Sequence, residues 1–208
     1  MGRPALRDDE IQEFRDEICD VALRLFAENG FESVTMRGLA ERVGCSPAKP
    51  YSYFDGKDAI LAATRARCFE RFADYIETEL NGVDDPEEAL RVQSSGYLEY
   101  AREKPHEFQL MFDLDQDSAD PYPDLRAAVR RSWGLVRSSV EDAIDAGVVD
   151  ADTDEFAQLL WSGTHGIAAL EVSGTPGPEW DARQLAEPMV DSLIDAHRHS
   201  NSDKHPKE

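Results

Sequence analysis

The strongest constraint on this chain is a helical hydrophobic period that recurs between glycine and proline stops, with no strand alternation long enough to compete. Residues 11–28 set Ile11, Phe14, Ile18, Val21, Ala22, Leu25 and Phe26 on one stripe, with acidic and arginine side chains opposite. Asn29-Gly30 supplies its C-terminal stop. Thr35 is placed to cap a second helix running to about Val43, and Gly44 breaks it. Ser46-Pro47 reads as an N-cap followed by a first-turn proline, opening a third short helix. Asp55 and Asp58 cap a long helix that carries Ile60, Leu61, Phe69, Phe72 and Ile76. Further helices are expected from Asp85-Pro86 to Pro105, over 106–112, over 125–146 and from Phe156 to Val172. A last helix holds Met189 to His197, with Pro188 either in its first turn or as a kink. The expected fold class is all-α.

Charge then limits the partners. The 43 acidic residues exceed the 22 Lys+Arg by enough to give a net charge of −21, and such an excess repels nucleic acid at ordinary ionic strength. Lysine is scarce, 5 against 17 arginines, which matches proteins of concentrated salt and equally an acidic protein of ordinary salt. No apolar run approaches the ~18 residues that span a bilayer. The start of the chain has no apolar signal region, and Leu6 stands where myristoylation wants Ser or Thr. A cytoplasmic protein with no membrane partner is expected.

Catalytic and metal chemistry find no constellation. Cys19, Cys45 and Cys68 are odd in number and far apart, which excludes a disulfide scaffold or zinc ribbon. Cys45 is either an oxidation sensor or an inert thiol. The five histidines make no triad or metal spacing, and no glycine loop suits a phosphate. Asp113, Asp115 and Asp117 imitate a calcium loop, but Ser118 takes the place of its glycine and Asp124 that of its closing Glu. No enzyme, metal or cofactor is expected.

The second and third helices with their glycine turn form a helix-turn-helix. Ala40 suits the close contact of the two helices, and Gly44 suits a left-handed turn. Pro50 and Tyr53 are expected to face the domain, while Ser46 and the first turn after it point at the major groove. The motif stretches are Leu25-Phe26-Ala27-Glu28-Asn29-Gly30-Phe31, Thr35 to Gly44, Ser46-Pro47 through Tyr51-Ser52-Tyr53-Phe54, and Lys57-Asp58-Ala59-Ile60-Leu61. On these, residues 11–61 resemble the N-terminal domain of the TetR (tetracycline repressor) family. The resemblance implies an all-helical dimer whose C-terminal domain binds a small ligand and releases double-stranded DNA. Trp161-Ser162-Gly163-Thr164-His165-Gly166 is similar to a Trp-His-Gly segment of one subgroup. The domains expected are 1–56 for DNA, 57–198 for ligand and dimerisation, and a disordered tail over 199–208.

The expected DNA face comprises Thr35, Arg37, Ser46, Ala48, Lys49, Tyr51, Ser52, Tyr53 and Lys57, with Arg3 and Arg7 as an arm. For Tyr53 the other reading is packing against the first helix. Two features depart from the family pattern. Pro50 stands where Leu or Ile is usual; the helix is expected to survive, with Lys49 pushed from helical geometry. Residues 1–60 carry 8 Lys+Arg against 12 Asp+Glu, a net of −4 where a DNA-binding domain should be basic.

Tyr97, Tyr100, Phe108, Met111, Phe112 and Trp133 are either pocket walls or ordinary core, and the resemblance favours a pocket for a small-molecule effector. Trp161 and His165 share a helix face; His165 lines that pocket, pairs across a dimer or is a satisfied core histidine. Gly163 and Gly166 inside a helix suggest close helix approach. The expected homodimer interface therefore runs along Phe156, Leu159, Leu160, Gly163, Ile167 and Leu170 on one helix and Ala186, Met189, Val190, Leu193 and Ile194 on the next, forming four helices with the partner chain. The readings that follow are a ligand-released repressor binding a pseudo-palindrome, or a dimeric small-molecule binder of the same fold with little DNA affinity.

Overall fold

The computed structural model describes residues 8–112, 121–174 and 181–198. The expected arm at Arg3 and Arg7, the loop at Asp113–Asp117 and the tail over 199–208 lie outside them. The described residues form eight α-helices and no strand, as the all-α reading requires. These are α1 (Asp8–Asn29), α2 (Met36–Val43), α3 (Lys57–Leu80), α4 (Pro86–Glu103), α5 (Pro105–Phe112), α6 (Pro123–Asp145), α7 (Thr153–Val172) and α8 (Ala182–His197). Among them no helix is long and apolar enough to cross a membrane.

The chain divides into two compact units, Met1–Glu70 with His106–Val129, and Arg71–Pro105 with Arg130–Glu208. In the first, the α1 stripe buries Phe14, Ile18, Val21, Ala22 and Leu25 together with Leu39 and Ala40 of α2 and Ile60 and Leu61 of α3. Thr35 starts α2 as expected: its hydroxyl accepts a hydrogen bond from the Gly38 amide at 3.1 Å. Gly44 ends α2 at φ +75°, a left-handed conformation that glycine adopts without a Cβ clash, and Cys45 N–H closes the turn on the Ala40 carbonyl at 2.9 Å.

The expected third helix is not an α-helix. After Gly44 the chain makes a turn and then a single 3-10 turn over Pro50–Ser52. Pro47 costs no bond in a first turn, but Pro50 lacks the N–H that would make the first α bond, to the Ser46 carbonyl. Three-residue bonds replace it: Lys49 N–H to Ser46 O at 2.9 Å, Ser52 N–H to Lys49 O at 3.0 Å and Tyr53 N–H to Pro50 O at 3.0 Å. Lys49 is also not displaced from helical geometry; it sits at φ −65°, ψ −43°. Bonds at both its N–H and its carbonyl hold it there against the pre-proline preference for extended backbone.

The second unit packs Leu90 of α4, Val136, Val140 and Ala143 of α6, Phe156, Ala157 and Leu160 of α7, and Val190 and Ile194 of α8 into one core. Asp85 caps α4 ahead of Pro86, and Asp152 caps α7 by accepting from the Asp154 and Glu155 amides. Pro188 lies inside α8, where Ser192 Oγ donates to its carbonyl at 2.6 Å. The Asp150 amide bonds the His197 carbonyl at 2.7 Å, tying the end of α8 to the segment before α7.

Candidate functional site

In the first unit, Thr35, Arg37, Ser46, Ala48, Tyr51 and Ser52 are exposed on α2 and the segment that follows it. Tyr51 is the notable one: an aromatic side chain 61% exposed, in a unit whose other described large apolar groups are buried or half-buried. Pro50 beneath it is buried. Tyr53 adopts the packing alternative; its ring lies 4.6 Å from that of Phe14, and its carbonyl accepts from Arg15 Nη1 at 2.6 Å.

The cations of this face have partners. Lys49 Nζ sits 3.8 Å above the Phe14 ring and Lys57 Nζ 3.9 Å above Phe31, both within cation–π range. Lys57 also lies 3.8 Å from the Glu32 carboxylate. Arg37 Nε bonds Glu41 at 3.0 Å one helical turn on. Arg42 makes a two-pronged contact to Glu28, at 2.8 and 3.3 Å, which holds the Glu28 carboxyl below its usual range. No spacing rule joins residues 28 and 42; the α1–α2 packing does.

In the second unit, four expected residues meet. The Tyr97 hydroxyl of α4 lies 2.8 Å from His165 Nδ1 of α7. Trp161 stacks on His165 at 5.2 Å, and Trp133 of α6 meets Trp161 edge-on at 6.3 Å. A hydrogen bond from Trp161 also reaches the Tyr97 hydroxyl. Indole N–H only donates, so Tyr97 accepts from Trp161, while the direction of its bond with Nδ1 follows the His165 tautomer. Burial pushes the Tyr97 phenol up and holds His165 below the ordinary imidazole range, so both are neutral near pH 7. Tyr97 and Tyr100 each meet the Phe72 ring in a T-shaped contact at 5.2 Å.

Phe108, Met111 and Phe112 belong to the first unit instead, where Phe112 meets Phe69 at 5.7 Å and Phe108 at 5.1 Å. The sequence reading missed the polar groups beside the Tyr97–His165 pair. Thr164 donates to the Leu160 carbonyl and lies 3.2 Å from Ser94 Oγ, both buried. Gln93, one turn before Tyr97, buries an Oε1 without a partner. The available signal was helical spacing from Tyr97 and His165. A separate groove of about 510 Å³, lined by Tyr75, Glu79, Arg91, Gly96, Glu99 and Glu187, contains none of the expected residues.

The interface stripe needs correction. Phe156 and Leu160 are 0% and 1% exposed, and Ala186, Val190 and Ile194 are buried with them in their own unit, so none is available to a partner chain. Gly163 is close-packed, but against α8: a Cβ there would lie 2.7 Å from Met189 Sδ. Ile167, Met189 and Leu193 are partly exposed. Of the stripe, Leu159 and Leu170 stay open at 40% and 53% exposure, beside Leu185 at 37% and Gly166 with no atom near its missing Cβ.

Comparison with known proteins places both halves. Residues 18–64 match the model for bacterial regulatory proteins of the tetR family, and residues 90–193 match that for the tetracyclin repressor-like C-terminal domain. An uncharacterized HTH-type transcriptional regulator of Mycobacterium tuberculosis is 34% identical over 43% of this chain, and the chain spans only 45% of that relative's length. The biofilm operon negative transcriptional regulator IcaR of Staphylococcus epidermidis is 26% identical over 70% of this chain and 77% of its own. The solved structure of the regulator FadR from Bacillus subtilis, in complex with stearoyl-CoA, has a TM-score of 0.72 at 16% identity. It covers 86% of this chain and 97% of its own, a likeness of fold.

Proposed function

Because this chain belongs to the TetR family of bacterial regulatory proteins, we propose that it is a dimeric repressor released from a pseudo-palindromic DNA operator by a small-molecule effector. The observation that carries the DNA part is the exposed Tyr51, set among Ser46, Ala48 and Ser52 directly after the α2 turn. An aromatic side chain there supplies apolar contact to base edges, and the small neighbours let the backbone approach the groove. Arg37, Lys49 and Lys57 serve phosphates, which fix register. The functional division remains 1–56 for DNA and 57–198 for effector and dimerisation. Repression is supported by the negative regulator among the relatives.

The effector reading rests on the Tyr97–His165–Trp161–Trp133 cluster, whose side chains are uncharged near pH 7. It suits a ligand that is uncharged where it meets this cluster. The fold neighbour that holds stearoyl-CoA supports a small-molecule partner in general. The open α7–α8 face supports dimerisation through Leu159, Gly166, Leu170 and Leu185. Effector binding couples to DNA through α3, which passes from one unit into the other at Glu70–Arg71, with a coupling of about 1–3 kcal/mol.

The test is selection of a bound duplex from a randomised library, followed by fluorescence anisotropy with wild type and Tyr51→Ala. An enriched palindromic duplex, bound at least about tenfold more weakly by the variant, supports the reading. A folded dimer that enriches no duplex supports the second reading, a small-molecule binder with little DNA affinity. That reading is favoured by the 3-10 turn standing where a recognition helix is usual.

A further inference from the structure

The charges on the helix-turn-helix face are arranged in an unusual balance. Among the described residues, four cations lie on or beside it: Arg37, Arg42, Lys49 and Lys57. Three are matched by a carboxylate: Glu41 at 3.0 Å from Arg37, Glu28 at 2.8 Å from Arg42 and Glu32 at 3.8 Å from Lys57. The fourth, Lys49, rests on the Phe14 ring and, among the described residues, on no acid. These pairs do not lock the cations, because exposed ion pairs of this kind are weak. Arg37 and Glu41 have side chains 83% and 65% exposed, so a DNA phosphate can draw the guanidinium away. The carboxylate cannot leave, since it is fixed to the same helix one turn on. Whatever rotamers form on DNA, the face delivers little net positive charge.

Counterion release follows net charge delivered to the phosphates. Each phosphate neutralised releases condensed cations from DNA and contributes about −0.9 to the slope of log K against log salt. An Arg–Glu pair brings no net charge and releases almost none. Resting on the DNA-binding reading above, we propose that Glu28, Glu32 and Glu41 act as built-in counter-charges that make this face salt-tolerant, so that operator binding depends on shape and base contact more than on ion release. With one uncompensated cation per protomer the slope for a dimer is about −2; with all four it is about −7.

The experiment is anisotropy titration of a duplex selected by the protein, across KCl, with wild type and with the triple variant Glu28→Gln, Glu32→Gln, Glu41→Gln. A control carries Asp142→Asn, Asp145→Asn and Asp195→Asn, three exposed acids of the second unit, and so has the same net charge as the variant. Between about 0.1 and about 0.4 M KCl, wild-type and control affinities are expected to fall about 15-fold and that of the variant more than about 1,000-fold. The variant should also bind more tightly than wild type at the lowest salt. A wild-type slope as steep as the variant's overturns the inference, and so does a control as steep as the variant. Absence of saturable binding by all three proteins at every salt overturns the DNA-binding reading itself, and this inference with it. A variant that fails to fold by circular dichroism is replaced by the single Glu41→Gln change, expected to add about −2 to the dimer slope.

Discussion

The two units handle polar side chains in opposite ways. On the helix-turn-helix face of the first, charges stay in water and are balanced by neighbouring acids, as Arg37 is by Glu41. Between α4 and α7 of the second, polar groups are withdrawn from water, stripped of charge and joined by directed hydrogen bonds, as Tyr97 is to His165. The first arrangement costs little to rearrange, which suits the proposed exchange of its partners for phosphates. The second is stiff, because a buried donor or acceptor left unpaired carries its full desolvation penalty. The difference is open to direct test, because conservative substitutions in the two regions should have very different effects.

The largest difference is expected at Tyr97. Tyr97→Phe keeps the ring and its contacts with Phe72 but removes the oxygen that serves Trp161 and His165. Two half-buried groups lose this partner, and stability should fall by about 1 kcal/mol in urea unfolding. A change below about 0.5 kcal/mol would show that water replaces the hydroxyl and that this region is as yielding as the surface.

The same pair predicts a pH effect with a definite sign. Burial lowers the His165 pKa in the folded state. Above the ordinary imidazole range both folded and unfolded forms are neutral, and the group contributes nothing to pH dependence. As pH falls through that range the unfolded chain takes up a proton that the folded chain resists, so stability declines. Urea midpoints compared for wild type and His165→Asn between pH 8 and pH 5 should converge toward the acid end. Parallel curves would place His165 in a solvated site.

What was legible in the sequence divides along a related line. The α1 stripe, the Thr35 cap and the Gly44 turn were readable because each depends on residues within one or two helical turns. Pro50 was readable as a disturbance, but its outcome was not. Pro50 takes away the first α bond, and 3-10 bonding stands in its place. Gly163 signalled close approach without saying of what, and the neighbour is Met189 of the same chain. Phe156 and Leu160 belong to an apolar stripe whose period gives a face but not the element that covers it. Tyr97 and His165 were each singled out, yet nothing in their spacing of 68 residues announces the bond between them.

A comparable effect is expected at the start of α2. Thr35 is exposed, like the charges around it, yet its hydroxyl satisfies the Gly38 amide. Thr35→Ala leaves that amide to water at a frayed helix start and should cost about 1 kcal/mol. The same residue lies on the proposed DNA face, so the two roles need separating. Thr35→Ser keeps the cap: if it restores stability and DNA affinity together, the hydroxyl acts through the helix start. If stability returns and affinity does not, the methyl group contacts DNA.

The smallest effect on folding belongs to Arg37, and it sharpens the comparison most. Its pair with Glu41 spans one helical turn on an exposed face, a geometry that stabilises isolated helices by only about 0.2–0.5 kcal/mol. Arg37→Gln should therefore move the urea midpoint by an amount near the error of the measurement. On DNA the same change removes a cation while Glu41 stays, so the local charge becomes more negative than in wild type. Affinity should fall on every duplex alike, since a phosphate contact carries no base preference. Removing Glu41 as well, in Arg37→Gln with Glu41→Gln, should return most of the lost affinity without restoring the arginine. Such recovery would show that the acid opposes binding even without its partner, as a built-in counter-charge must. If the double variant binds no better than the single, Glu41 has no influence on the phosphates, and the first unit's charges are balanced by accident of surface composition alone.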